Sequence, residues 1–229
     1  MIDHLHRRSG RTPDYSAILE IGCGIGGTLF ELASQGRAFG SDTNLLDLVI
    51  ARKRAEELGL DVTLVCAAPE ALPLKSGVFS LVNFMHAYEH FKDQAEGLRE
   101  VYRVLAPGGA SSFNVPNRLS LWVEPHTGLW GIGFLPRRLT ALRRVRNRSL
   151  WGLDSAVRQE FGTNYDVHTM LVRYDIAGCD GRRPLDSAAR ILHWIERTPA
   201  LGRLVRALQP GFEVLGWKQE AAKSLRVVA

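Results

Sequence analysis

The sequence predicts an α/β fold built on a parallel sheet, and two features carry that expectation. Short apolar runs alternate with helical patterns through the first half of the chain, and the first run, "ILEIGCGIGG" from Ile18 to Gly27, ends in four glycines within six positions. Strands and helices alternating at this spacing form right-handed βαβ units, whose ligands bind beyond the carboxyl ends of the strands. The 229 residues fit a single domain, able to bury roughly 70% of its unfolded surface without disulfides or metals.

The elements follow in order. "AILEIG" reads as a strand, "TLFELASQG" as a helix closed by Gly36, "RAFGSD" as a strand and "LLDLVIARKRAEELG" as a helix closed by Gly59. "VTLVCA" and "FSLVNFM" are two more strands. Leu98, Val101, Tyr102 and Leu105 recur at helical spacing between Asp93 and Leu105, and Pro107 to Gly109 stop that helix. "ASSFNVPN" is a fifth strand. From Arg118 to about Asn164 the rhythm breaks: Trp122, Trp130, Phe134 and Trp151 mix with prolines, glycines and an acid-free run, "RRLTALRRVRNR". A segment of that kind inside a compact domain is expected to cover a site. A helix from about Val167 to Ala177, a short strand near "GRRPL", the amphipathic stretch "SAARILHWIERTPALGRLVRALQ" and a terminal strand "FEVLGWK" complete the expectation.

Charge and cysteine content narrow the classes. A net charge of +5 is modest and does not argue for nucleic acid by itself. Cys23, Cys66 and Cys179 are odd in number and lack ligand spacing, so free thiols in a reducing, cytoplasmic compartment are expected, with no metal site. The polar amino terminus has no apolar leader core, and no stretch reaches about 18 uninterrupted apolar residues, so neither secretion nor membrane spanning is expected.

Bare backbone after a strand lets a ligand approach the main chain and the amino end of the next helix, whose free N–H groups favour anions. Gly22, Gly24 and Gly27 satisfy GxGxxG, and Asp42 lies 20 residues after Gly22, as an acid that binds ribose should. A dinucleotide fits those facts. Glu20 discriminates, because a carboxylate beside a pyrophosphate is repelled whereas an ammonium group welcomes it. S-adenosylmethionine carries an ammonium, a sulfonium and an adenosine, and so suits an acid before the glycines and another at the ribose.

With these motifs, "GSD" at Gly40 to Asp42, "PEALPLKSGVFSLVNF", "HAYEHFKD" and "LREVYRVLAPGG" in order, the chain resembles the class I S-adenosylmethionine-dependent methyltransferases, in particular the small-molecule branch near the ubiquinone and menaquinone methyltransferases. The resemblance covers Ile18 to Asn117. It implies a Rossmann-like three-layer sandwich: a mostly parallel seven-stranded sheet with an antiparallel last strand, and a lid insertion after strand 5. One methyltransferase domain over 1–229 would carry that lid, an acceptor-binding insertion, at 118–164. The resemblance assigns Glu20, Gly22, Cys23, Gly24 and Gly26 to the methionine part, and Asp42 with Thr43 to the ribose. Ala68, Pro69 and Glu70 would edge the adenine, while Met85 and His86 would lie near the sulfonium and the acceptor. Two positions depart from the pattern. Ala68 and Pro69 stand where an acid and a backbone N–H commonly meet the adenine, so either Glu70 takes over or shape holds the base; Ser80 replaces an Asp, which should affect sheet-edge hydrogen bonding more than chemistry.

Methyl transfer is a direct displacement, so positioning alone contributes up to about 7 to 11 kcal/mol. A base is needed only if the acceptor is a hydroxyl. His86, His90 and His126 are the candidates, at the end of the fourth strand, at the start of the next helix and inside the insertion. All five tryptophans fall after Asn117 among many arginines, consistent with an apolar, basic-rimmed pocket for a lipophilic or lipid-linked acceptor, or with lid core. O-methylation of such a small molecule is the leading expectation. The basic amphipathic stretch also permits peripheral contact with an anionic membrane. An RNA methyltransferase and a non-catalytic cofactor-binding scaffold are the alternatives. Against RNA, "NFMHAY" stands where an Asn/Asp-Pro-Pro-Tyr/Phe motif would be expected, so nucleic acid is not the expected partner.

Overall fold

Apolar runs flanked by turn residues become strands here because one sheet takes them all, burying the central ones on both faces. The structure, a computed structural model, describes residues 13–117, 150–169 and 211–220. Its strands are β1 (Ala17–Ile21), β2 (Arg37–Asp42), β3 (Val62–Cys66), β4 (Phe79–Phe84), β5 (Leu105–Pro116), β6 (Tyr165–Thr169) and β7 (Gly211–Trp217). They form a seven-stranded sheet in the order β3-β2-β1-β4-β5-β7-β6. β1 to β5 pair in parallel, and β7 runs antiparallel between β5 and β6. The direction of winding reverses between β1 and β4, which is where a sheet of this type opens a ligand crevice.

Helices α1 (Gly27–Ala33), α2 (Leu45–Glu57), α3 (Gln94–Val104) and α4 (Leu150–Phe161) complete the described elements, with a 3-10 turn at Tyr88–His90. Asn44 caps α2 by accepting from Leu46 N–H, and Asp93 caps α3 by accepting from Ala95 and Glu96 N–H, each replacing a donor's lost partner. α3 turns Leu98, Val101 and Val104 into the largest core, which also holds Phe84, Phe91 and Phe113. Phe84 and Phe113, paired across β4 and β5, stack with centroids 4.2 Å apart.

Ser80, at the amino end of β4, accepts from Ala17 N–H and donates to Ala17 C=O. These two bonds tie the start of β4 to the start of β1.

Four expectations are corrected. Gly36 does not cap a helix: α1 ends at Ala33, and a Cβ at Gly36 would lie 1.7 Å from Tyr15 C=O, so close backbone approach demands the glycine. "PGG" does not separate helix from strand. β5 begins at Leu105 itself, with Pro107 to Gly109 looping out between the Phe79–Leu105 and Leu81–Ala110 pairs, Gly108 at φ +78°. The end of the expected insertion is regular: α4 buries Leu153, Val157 and Phe161 at every fourth position. Finally, Val167 starts no helix. Residues 165–169 form β6, because Tyr165 and Val167 alternate inward with exposed Asp166 between them and β7 supplies an antiparallel partner. The rest of that expected helix, the strand near "GRRPL", the amphipathic stretch and residues 118–149 lie outside the described residues.

Candidate functional site

The carboxyl ends of β1, β2, β4 and β5 gather the residues singled out above. Glu20, two residues before the turn, is buried. Its Oε1 accepts from Asn83 Nδ2 at 3.4 Å, while Oε2 is buried without a hydrogen-bond partner. Burial pushes this carboxyl up from 4.5 to about 8, against the opposing pull of the Asn83 and Thr28 side chains. An unmet buried carboxylate oxygen costs free energy until a donor or cation reaches it.

The glycine turn is arranged differently from the anion cradle its pattern suggests. Gly22 and Cys23 N–H both donate to Ser41 C=O, Gly24 N–H donates to Asp42 Oδ2 at 2.8 Å, and Gly26 N–H donates to Cys23 C=O. Four of the turn's donors are thus spent inside the protein, on a turn flanked by two acids. Such a surface suits a cation. Gly22 (φ +74°) presses on Ala87, where a Cβ would come within 2.7 Å of that side chain, and Gly26 (φ +92°) on the Phe30 ring. These contacts bind the turn to the segment after β4 and to α1.

Asp42 is a brace as well as a candidate ligand. Its Oδ1 accepts from Asn44 N–H at 2.9 Å while Oδ2 holds Gly24, and a carboxylate still has lone pairs left for hydroxyls. Thr43 beside it is exposed. Ala67 N–H donates to Asp42 C=O, which brings the half-buried Ala68 and Pro69 next to the expected ribose position.

Two of the assigned residues also make structural contacts. Cys23 Sγ is packed with Leu29, Phe30, Ala38 and Leu48, its thiol pushed up to about 12 by burial and then by Glu20 and Asp42; its N–H donates to Ser41 C=O and its C=O accepts from Gly26 N–H. Glu70 Oε1 accepts from Lys92 and Asp93 N–H at 2.6 and 3.1 Å. Through that oxygen Glu70 holds the entry to α3.

On the β4 side, Met85 is buried and His86 exposed. His86 alone among the described non-glycine residues has a positive φ, +56°, a conformation that clusters at functional sites in non-glycine residues. His90 ends the 3-10 turn and is exposed; the next helix starts four residues later, at Gln94. His126 lies outside the described residues. Trp217, one of the five tryptophans, packs with Ile18, Leu32, Leu81 and Ala110 in core, not in a pocket. Sequence reasoning missed Asn83 and Asn114, both buried. Asparagine is depleted in strands, and its presence in "FSLVNF" and "SFNVP" was the available signal.

Comparison with known proteins gives the family. A methyltransferase domain family model matches residues 18–109. The ubiquinone biosynthesis O-methyltransferase of Caulobacter sp. (strain K31) is 34% identical over 179 residues, covering 70% of this chain and 68% of that protein. The mitochondrial 2-methoxy-6-polyprenyl-1,4-benzoquinol methylase of Leishmania donovani is 31% identical over 142 residues, 53% of this chain and 49% of that protein. The fold matches Haemonchus contortus phosphoethanolamine N-methyltransferase 2, with a TM-score of 0.64 at 19% identity, covering 96% of this chain and 52% of that one. The chain therefore belongs to the class I S-adenosylmethionine-dependent methyltransferases, in the branch that holds the ubiquinone and menaquinone enzymes. It spans about half the length, or less, of several curated relatives it matches. No helix among the described residues is long and apolar enough to cross a membrane.

Proposed function

We propose that the chain binds S-adenosylmethionine across the ends of β1 and β2 and transfers its methyl group to a hydroxyl oxygen of a lipophilic, quinol-like small molecule. One observation carries the cofactor reading: the glycine turn has its donors tied off and acids on both sides, with a buried oxygen of Glu20 left unmet. That arrangement fits an ammonium and opposes a pyrophosphate. When bound, the cofactor supplies a methyl group on a sulfonium, open to displacement by a nucleophile.

In this reading Glu20 meets the ammonium charge, Asp42 takes the ribose hydroxyls on its remaining lone pairs, and the Ala68–Pro69 turn edges the adenine by contact alone. His86, at the exposed end of β4, takes the proton that an acceptor hydroxyl must lose as it attacks. The predicted acceptor-covering insertion at 118–164, with His126, belongs to the same reading, as does a single domain over the whole chain. The lipophilic acceptor is supported by the quinone-pathway relatives and by the tryptophans of that segment.

Isothermal calorimetry tests the first half. S-adenosylmethionine should bind the full chain, and Asp42→Ala should weaken it at least tenfold; no heat from the wild-type chain overturns the assignment. A labelled-methyl screen of phenolic and quinol acceptors, read by mass, tests the second. Label recovered only in RNA would replace the acceptor class.

A further inference from the structure

His86 cannot hold its conformation on intrinsic preference, since a left-handed φ is uncommon for a residue with a side chain. Something must fix it, and the structure supplies one side chain for the purpose. Asn114, near the carboxyl end of β5, is 2% exposed and stands 28 residues away in sequence. Its Oδ1 accepts from His86 N–H at 2.5 Å. Because only the oxygen can accept that N–H, the orientation of the amide is settled, and its Nδ2 is directed at the imidazole. Nδ2 lies 3.1 Å from Nδ1 and 3.1 Å from Nε2. The lone pairs of the two ring nitrogens diverge, so an atom in line with one would be far from the other. Equal distances put the amide over the ring face.

We propose that Asn114 is the positioning residue for His86: it locks the backbone by one bond and steadies the ring by another contact, leaving both ring nitrogens open to an acceptor. The inference rests on the reading of His86 as the base. His86 receives the hydroxyl proton on a ring nitrogen as the oxygen–methyl bond forms and the sulfur–methyl bond breaks, its electron pair staying on sulfur. A hydrogen bond in line with either nitrogen would remove one of the two proton sites; contact over the face removes neither.

The test uses the full chain with labelled histidine, His86→Asn serving to assign the His86 ring signals by NMR. Asparagine tolerates the left-handed region, so that variant keeps the turn. In the wild type the ring should be rigid, with an order parameter near about 0.85, and in Asn114→Leu it should fall below about 0.6. Calorimetric affinity for S-adenosylmethionine should stay within twofold. Asn114→Asp keeps the backbone acceptor but has no amide donor, and should loosen the ring by less; it also carries the test if the leucine variant fails to fold. A ring equally rigid in the leucine and aspartate variants overturns the proposal, as does loss of cofactor binding in both. On a short-chain catechol, Asn114→Leu should lower kcat at least tenfold with the cofactor KM unchanged. Full methyl transfer by His86→Asn would instead overturn the reading of His86 as base, while the ring measurement still decides whether Asn114 holds it.

Discussion

The two halves of the carboxyl edge work by opposite means. At β1 and β2 the site is mostly backbone: glycines in left-handed conformations, N–H groups spent within the turn, and two acids bracketing it. At β4 and β5 it is side chain: one histidine in an unfavourable conformation, held by one buried asparagine. The first half can lose little without losing shape, since its contacts are made by atoms every residue has. The second can be changed residue by residue, which is what an enzyme family needs where acceptors differ.

The largest effect should come from Glu20. The unfolded carboxyl titrates near 4.5 and the folded one near 8, so in between the folded chain holds a proton that the unfolded chain releases. Stability then falls as pH climbs from 4.5 through 8 and is level beyond both limits, a loss on the order of 5 kcal/mol. Glu20→Gln should abolish that slope in urea titrations at pH 5 and 9, and should also weaken S-adenosylmethionine. Binding by the wild type should peak where both charges are present, since ionising Glu20 favours the ammonium whereas deprotonating the cofactor's α-amino group at higher pH removes it. Unchanged affinity in the glutamine variant would break the contrast between the halves.

A smaller loss, about 3 kcal/mol, is expected for Gly26→Val, which combines backbone strain with collision on Phe30. Gly24→Ala separates the two causes. Its φ is +49° but nothing lies within 4 Å of the new Cβ, so strain alone remains, about 1 kcal/mol by denaturation. Asp42→Ala should cost about 2 kcal/mol by releasing two backbone donors, with its loss of cofactor measured separately. Ser80→Ala, at the other end of the sheet, should cost only about 1 kcal/mol through the Ala17 bonds and leave cofactor affinity intact.

Local period and turn chemistry made the first five strands, three of the helices and the glycine turn legible. Glu20 could be read as an acid aimed at a cation, but its burial and its bond to Asn83, 63 residues later, could not. That the donors of the glycine turn are spent inside the protein could not be read for the same reason: Ser41 and Asp42, which consume three of them, belong to another strand. β6 was misread as helix because its strand character comes from β7, more than forty residues downstream by sequence. The tie of Asn114 to His86 leaves no local pattern. What escaped the sequence is pairwise and distant; what it revealed is periodic and near.

The Gly22–Ala87 contact bears on how the chain acquires its site. β1, β2 and the glycine turn lie within the first 42 residues, yet Ala87, which closes the turn from one side, follows the strand that pairs with β1 63 positions later. Loop closure over that span is slow compared with making β1–β2. A nascent chain therefore presents its glycines early and completes their wall late, and the cofactor, by favouring the finished crevice, stabilises the β1–β4 pairing.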